Sequence, residues 1–61
     1  MQETIYINEK QVSKLTSFAL STLRNGRSNN KLFPFYKVGR SVRYKLEDVI
    51  NFMEQHRIET N

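Results

Sequence analysis

Cysteine is absent from this chain. No disulfide framework and no thiolate zinc site can therefore support a domain of 61 residues. A chain of that size buries a modest share of its surface and is only marginally stable. The single histidine, His56, makes no metal cluster without several carboxylate partners, so neither a metal nor a cofactor is expected. No apolar run is long enough for a membrane span. The first residues, MQETIYINEK, lack the basic segment and apolar core of a signal peptide. Linkers, repeats and low-complexity tracts are missing too. Absence of cysteine suits a reducing compartment. The expectation is one cytoplasmic domain, residues 1–61. An enzyme is not expected, because the serines have no His–Asp support and so small a core leaves little room for a pocket.

Acids are missing from one place in particular. The net charge is +4, from ten basic and six acidic side chains. No Asp or Glu occurs between Thr16 and Leu46, where Arg24, Arg27, Lys31, Lys37, Arg40, Arg43 and Lys45 lie. The acids sit outside, at Glu3, Glu9, Glu47, Asp48, Glu54 and Glu59. A contiguous acid-free basic region is the footprint of a polyanion partner, weighed against a surface that is merely solvated.

The spacing of apolar residues places four elements. Thr4 to Ile7 reads as an extended lead-in. Asn8 and Gln11 form the pattern of a capping box, with Glu9 in the first turn facing the positive end of the helix dipole. Ile7 is positioned to staple onto Val12, and Val12 with Leu15 forms the inward stripe. This helix should end near Leu15 or Thr16. A second helix should run from Phe18 or Ala19 to Asn25 or Gly26, packed through Phe18, Ala19 and Leu23, with Gly26 as its stop. So short a link between helices is that of a helix-turn-helix. Arg27 to Lys31 reads as a loop, and Pro34 as the start of an edge strand.

In FYKVGRSVRYKLEDV, Phe35 to Val49, the period changes. Tyr36 and Val38, then Val42, Tyr44 and Leu46, alternate as the dry faces of two strands. Lys37, Arg43 and Lys45 fall on the opposite, wet face. Gly39-Arg40-Ser41 reads as the turn between them. After Leu46 the apolar residues recur at helical spacing: Leu46, Val49, Ile50 and Met53, with Phe52 at the edge. Glu47 and Asp48 suit the start of that helix, and His56 and Arg57 its end. A rival RNA partner would want exposed aromatics for stacking bases; only Phe33 and Phe35, beside Pro34, could form such a platform, and a two-stranded wing is a poor one. Tyr36 and Tyr44 read as core. The fold class is mainly α with a small two-stranded β-hairpin: a winged helix-turn-helix.

The chain also resembles a known family. INEKQVSKLTSFALSTLRNGR followed by FPFYKVGRSVRYKLEDVINFM is similar to the small helix-turn-helix proteins of the excisionase type. These include prophage regulators and recombination directionality factors. They are related in fold to the DNA-binding domains of mercury-resistance-type regulators. The resemblance spans about Ile5 to His56. Its most specific parts are Ser21-Thr22-Leu23-Arg24-Asn25, Lys37-Val38-Gly39-Arg40, Val42-Arg43-Tyr44 and Glu47-Asp48-Val49. The chain departs from the family at Ala19, where a serine N-cap is frequent. Ser17 is then expected to cap in its place. It departs again at Leu20, where the family often has a polar or basic residue, and in a longer Arg27–Phe33 loop.

The resemblance implies a double-stranded DNA partner. It gives Ser21, Arg24 and Asn25 to base contacts, since arginine pairs with guanine and asparagine with adenine. It gives Ser17, Thr22, Arg27 and Lys31 to phosphates. Lys37, Arg40, Ser41 and Arg43 become wing contacts, with Arg40 at the minor groove. Leu20 would meet a thymine methyl or pack against the wing or a second subunit. An acid on the last helix is an alternative partner for Arg24, and a half-buried structural place an alternative for Thr22. Lys45 reads as solvating the outer strand face. An excisionase would bind and bend attachment-site DNA beside an integrase or recombinase, self-associating on adjacent sites. A small transcriptional regulator of a prophage or mobile element is the alternative.

Overall fold

In the computed structural model, which describes residues 3–59, three helices pack with a three-stranded antiparallel sheet in a mixed α/β arrangement. The chain order is β1 (Tyr6–Ile7), α1 (Glu9–Thr16), α2 (Leu20–Ser28), β2 (Tyr36–Val38), β3 (Ser41–Lys45) and α3 (Leu46–Gln55). The sheet order is β1-β3-β2. The two-stranded hairpin read from the sequence therefore lacks a strand. The lead-in pairs with β3, Tyr6 opposite Lys45 and Ile7 opposite Tyr44. An isolated hairpin is marginal, and a bare β3 edge leaves backbone donors and acceptors open.

The capping box of α1 is formed as expected. The Asn8 N–H donates to Gln11 Oε1 and the Gln11 N–H to Asn8 Oδ1, both at 2.8 Å. Ile7 and Val12, on either side of the cap, are both buried. Leu15 is not part of the core: it is 54% exposed. Ser17 ends α1 in the left-handed region, at φ 64°, with its N–H on the Ser13 carbonyl at 2.8 Å. The Ser13 hydroxyl donates to the Phe18 carbonyl at 2.6 Å and the Thr16 hydroxyl to that of Val12 at 2.7 Å. Ser17 is thereby committed to closing α1 and does not cap α2. Ala19 holds the N-cap place with no side-chain bond, and is exposed rather than packed.

Helix α2 runs two residues past Gly26, the expected stop. Its glycine answers a different need. A Cβ built at Gly26 would lie 2.5 Å from Leu32 Cβ, so the following loop can close only on a bare backbone. The Lys31 N–H reaches the Gly26 carbonyl at 3.0 Å. That closure delivers Phe33 to the centre of the core, 3% exposed. Its ring lies 4.8 Å from Phe52, 6.0 Å from Phe18 and 6.5 Å from Tyr44. The exposed Phe33–Phe35 platform does not exist: Phe35 is half-buried, 6.4 Å from the Tyr44 ring.

Ile7, Val12, Leu23, Phe33, Tyr44 and Val49 form the core. Full burial of such a side chain contributes about 1.5–3 kcal/mol. Strand β3 passes into α3 without a loop. Leu46, whose N–H has no partner within the helix, donates to the Ile5 carbonyl at 2.9 Å. The residue just before β1 therefore also caps the last helix. The buried line of α3 is Val49 and Phe52, rotated away from Ile50 and Met53, which remain 47% and 41% exposed. No helix among the described residues is long and apolar enough to cross a membrane.

Candidate nucleic-acid interface

The turn between β2 and β3 has two residues, Gly39 and Arg40, not three: Ser41 already pairs with Val38. Gly39 takes φ +60° while Arg40 stays at negative φ, the pattern of a type II′ hairpin turn. This sets the parity of the register. Tyr36 stands opposite Arg43 and Lys37 opposite Val42. Residues opposite one another share a face. Tyr36 and Val38 therefore lie on the outer face with Arg43, reversing their expected side. They are 43% and 74% exposed. Lys37 shares the face of Val42 and Tyr44, although it is itself exposed at the edge strand. The expected uniformly basic wet face is instead mixed. Tyr6 packs edge-on against Tyr36 at 5.3 Å, and with Val38 and Arg43 the two rings line a shallow apolar hollow. A one-residue difference in turn length is enough to exchange the two faces of a strand.

The basic region is acid-free along the chain but not in space. Glu9, from the first turn of α1, folds into it. Its carboxylate accepts from Arg27 Nε at 3.1 Å and from the Tyr44 hydroxyl at 2.8 Å, and lies 3.5 Å from Arg24 Nε. One carboxylate thus ties α1, α2 and β3 together. Burial pushes the Glu9 carboxyl up, but the hydrogen bonds from Arg27 and Tyr44 and the charges of Arg27 and Arg24 outweigh it. The group is held below the usual carboxylate range. The hydrogen bond to Glu9 holds the Arg27 guanidinium above its ordinary value. Burial, then the bond to Glu9, pushes the Tyr44 phenol up to about 12. Among the described residues no buried side-chain polar atom lacks a partner.

The candidate residues separate into three groups. Ser21, Thr22, Arg24 and Asn25 are exposed on α2, and the Arg24 side chain keeps 63% of its surface open beside Glu9. Its acidic partner comes from the first helix, not the last. Lys31, Lys37, Arg40, Ser41 and Arg43 are exposed on the loop and hairpin. Arg43 donates to its neighbour's carbonyl, Val42, at 2.7 Å. Arg27 and Leu20 are placed differently from the sequence reading. Arg27 is 27% exposed and holds Glu9, and Leu20 packs partly buried against the core. Ser17 is exposed in the interhelical turn. Lys45, half-buried, lies 3.9 Å from Glu47. Sequence reasoning missed Glu9, whose only visible signal was its place in the first turn of α1, and Tyr6, which gave none. Among the described residues no group of three or more His, Asp or Glu side chains is placed to hold a metal. Compared with family models, curated proteins and solved structures, the chain matches none.

Proposed function

We propose that this chain is a sequence-specific double-stranded DNA-binding protein of the winged helix-turn-helix type, serving as an excisionase of a mobile element. In this reading α2 enters the major groove, the β2–β3 hairpin is the wing, and the protein bends attachment-site DNA without performing strand chemistry. The observation that carries the reading is the exposed run on α2. Ser21, Thr22, Arg24 and Asn25 stand open to solvent on a helix with no acid of its own. An arginine and an asparagine there can read guanine and adenine edges. Support comes from Lys31, Lys37, Arg40 and Arg43, which have no ion-pair partner among the described residues. Arg40, at the turn, is the wing-tip residue directed to the minor groove. Arg27 serves to set α2 against α1 rather than to hold a phosphate. An integrase and neighbouring copies on adjacent sites are the proposed partners, since one domain this small makes few base contacts.

A gel-shift titration tests this, on DNA flanking the gene and including any attachment site, with random competitor. Stepwise cooperative shifts at an attachment region are expected. A single specific shift at a promoter would replace the excisionase assignment by a small transcriptional regulator. No specific shift on any fragment would overturn the DNA reading.

A further inference from the structure

The apolar stripe of α3 is wider than the core it serves. Val49 is fully buried and Phe52 packs on Phe33, yet Ile50 and Met53 keep nearly half their surface open. Leu15 at the end of α1 and Ile5 before β1 are more than half exposed beside them. Two shallow hollows join these side chains. Ile5, Leu46 and Ile50 line one; Leu15, Val49, Ile50 and Met53 line the other. Ile50 belongs to both, so the two hollows adjoin at its side chain and together form a shallow apolar groove beside α3. No residue of α2 or of the Gly39–Arg40 turn lines it. Leu15, Ile50 and Met53 have the helical spacing of core residues, but the described residues leave about half of each open.

The charges beside the groove define what fits. Three acids line the hollows, Glu3, Glu47 and Glu54, against one base, Lys45, whose ammonium lies 3.9 Å from Glu47. A second copy docking by a two-fold contact would set one acid-rimmed groove against another. An anionic lipid surface would be repelled in the same way. A basic partner would not. A helix of ten residues is about 15 Å long, room for two to three turns of another helix alongside.

We propose that this groove docks a basic amphipathic helix of a partner protein. The partner's apolar residues lie over Ile50 and Met53, and its lysines or arginines face Glu3, Glu47 and Glu54. This is the helix-in-groove mode of recognition, read by anchors at i, i+3, i+4 and i+7. It involves none of the residues assigned to DNA, so it stands or falls apart from that reading.

The test uses the full isotope-labelled chain in an amide-shift titration with two synthetic helical peptides. They share one leucine stripe; one carries lysines on its flanks, the other glutamates. Saturable shifts at Ile5, Leu15, Ile50 and Met53 are expected with the lysine peptide, at least about tenfold tighter than with the glutamate peptide. Ile50→Glu should abolish them while retaining a dispersed, folded spectrum. If that variant does not fold, Glu3→Lys with Glu54→Lys, both exposed, should narrow or reverse the preference between the peptides. Equal response to both peptides, or none to either, overturns the proposal. So does a concentration-dependent dimer of the chain alone, seen by sedimentation, whose contact falls on these same residues.

Discussion

At Tyr44 a core ring and a polar contact share one side chain. The ring fills the space beside Phe33 and Phe35, while its hydroxyl donates to Glu9. The folded chain therefore holds the phenolic proton from the ordinary value of 10.0 up to about 12. Across that window the unfolded chain binds fewer protons, so stability should fall as pH rises. Glu9 acts with the opposite sign. Its lowered value contributes stability that is present above the ordinary carboxylate range and is lost as pH falls through it. Urea denaturation at stepped pH should show both limbs, the alkaline one flattened by Tyr44→Phe and the acid one by Glu9→Gln. Gly26 gives a second prediction. Alanine is the better helix former by about 1 kcal/mol, but its Cβ meets Leu32. Overpacking of this kind costs about 1–3 kcal/mol, so Gly26→Ala should lower the melting temperature, and Leu32→Ala in the same chain should recover part of the loss from the clash. A Gly26→Ala protein as stable as the parent would refute the close-approach account.

The joint between α1 and α2 shows how an element boundary is set by backbone conformation. Three hydrogen bonds from Ser13, Thr16 and Ser17 close the turn, yet Ser17 occupies a left-handed conformation that disfavours a residue with a Cβ. Ser17→Gly removes that strain and leaves the backbone bond to Ser13. It should stabilise the protein by about 1 kcal/mol in chemical denaturation. In the hairpin the same kind of local choice has a wider effect. Gly39 at positive φ makes a two-residue turn, and the turn length decides which side chains of β2 face the core. Alternation alone named the two faces of β2 without saying which was inside. Tyr36 and Val38, apolar by type, went to the wrong side for that reason.

On the scale of the whole molecule, charge separates into regions: a basic one on α2, the loop and the hairpin, and acids along the groove beside α3. On the proposed DNA-binding function, affinity should weaken with salt, log K falling by roughly 0.9 for each phosphate neutralised. A slope near zero in fluorescence titrations would remove the phosphate contacts. Arg24→Ala should weaken the cognate site more than random DNA, by about 1–3 kcal/mol. Arg43→Ala should weaken both alike. The Arg24–Glu9 contact does not blur this comparison, because a pair with its arginine so open contributes little to stability. If Arg24→Ala loses no selectivity, α2 is not the reading element.

The capping box, the order of helix, helix, hairpin and helix, and the run of cations were legible in the residues themselves. Each depends on neighbours a few positions apart: Asn8 with Gln11, the apolar period within a helix, the change of period at Leu46. What needed the tertiary structure depends on residues far apart in the chain. The third strand requires Tyr6 and Ile7 to meet Lys45 and Tyr44. The acid that folds in beside Arg24 and Arg27 is Glu9, eighteen residues from Arg27 and thirty-five from Tyr44. Which flank of α3 is core was settled by Phe33, brought in by a loop whose sequence reads only as polar and turn-forming. Sequence periodicity says that a helix or strand has an apolar side. Only packing decides how far the chain itself covers that side, and at Leu15, Ile50 and Met53 the described residues cover only about half of it.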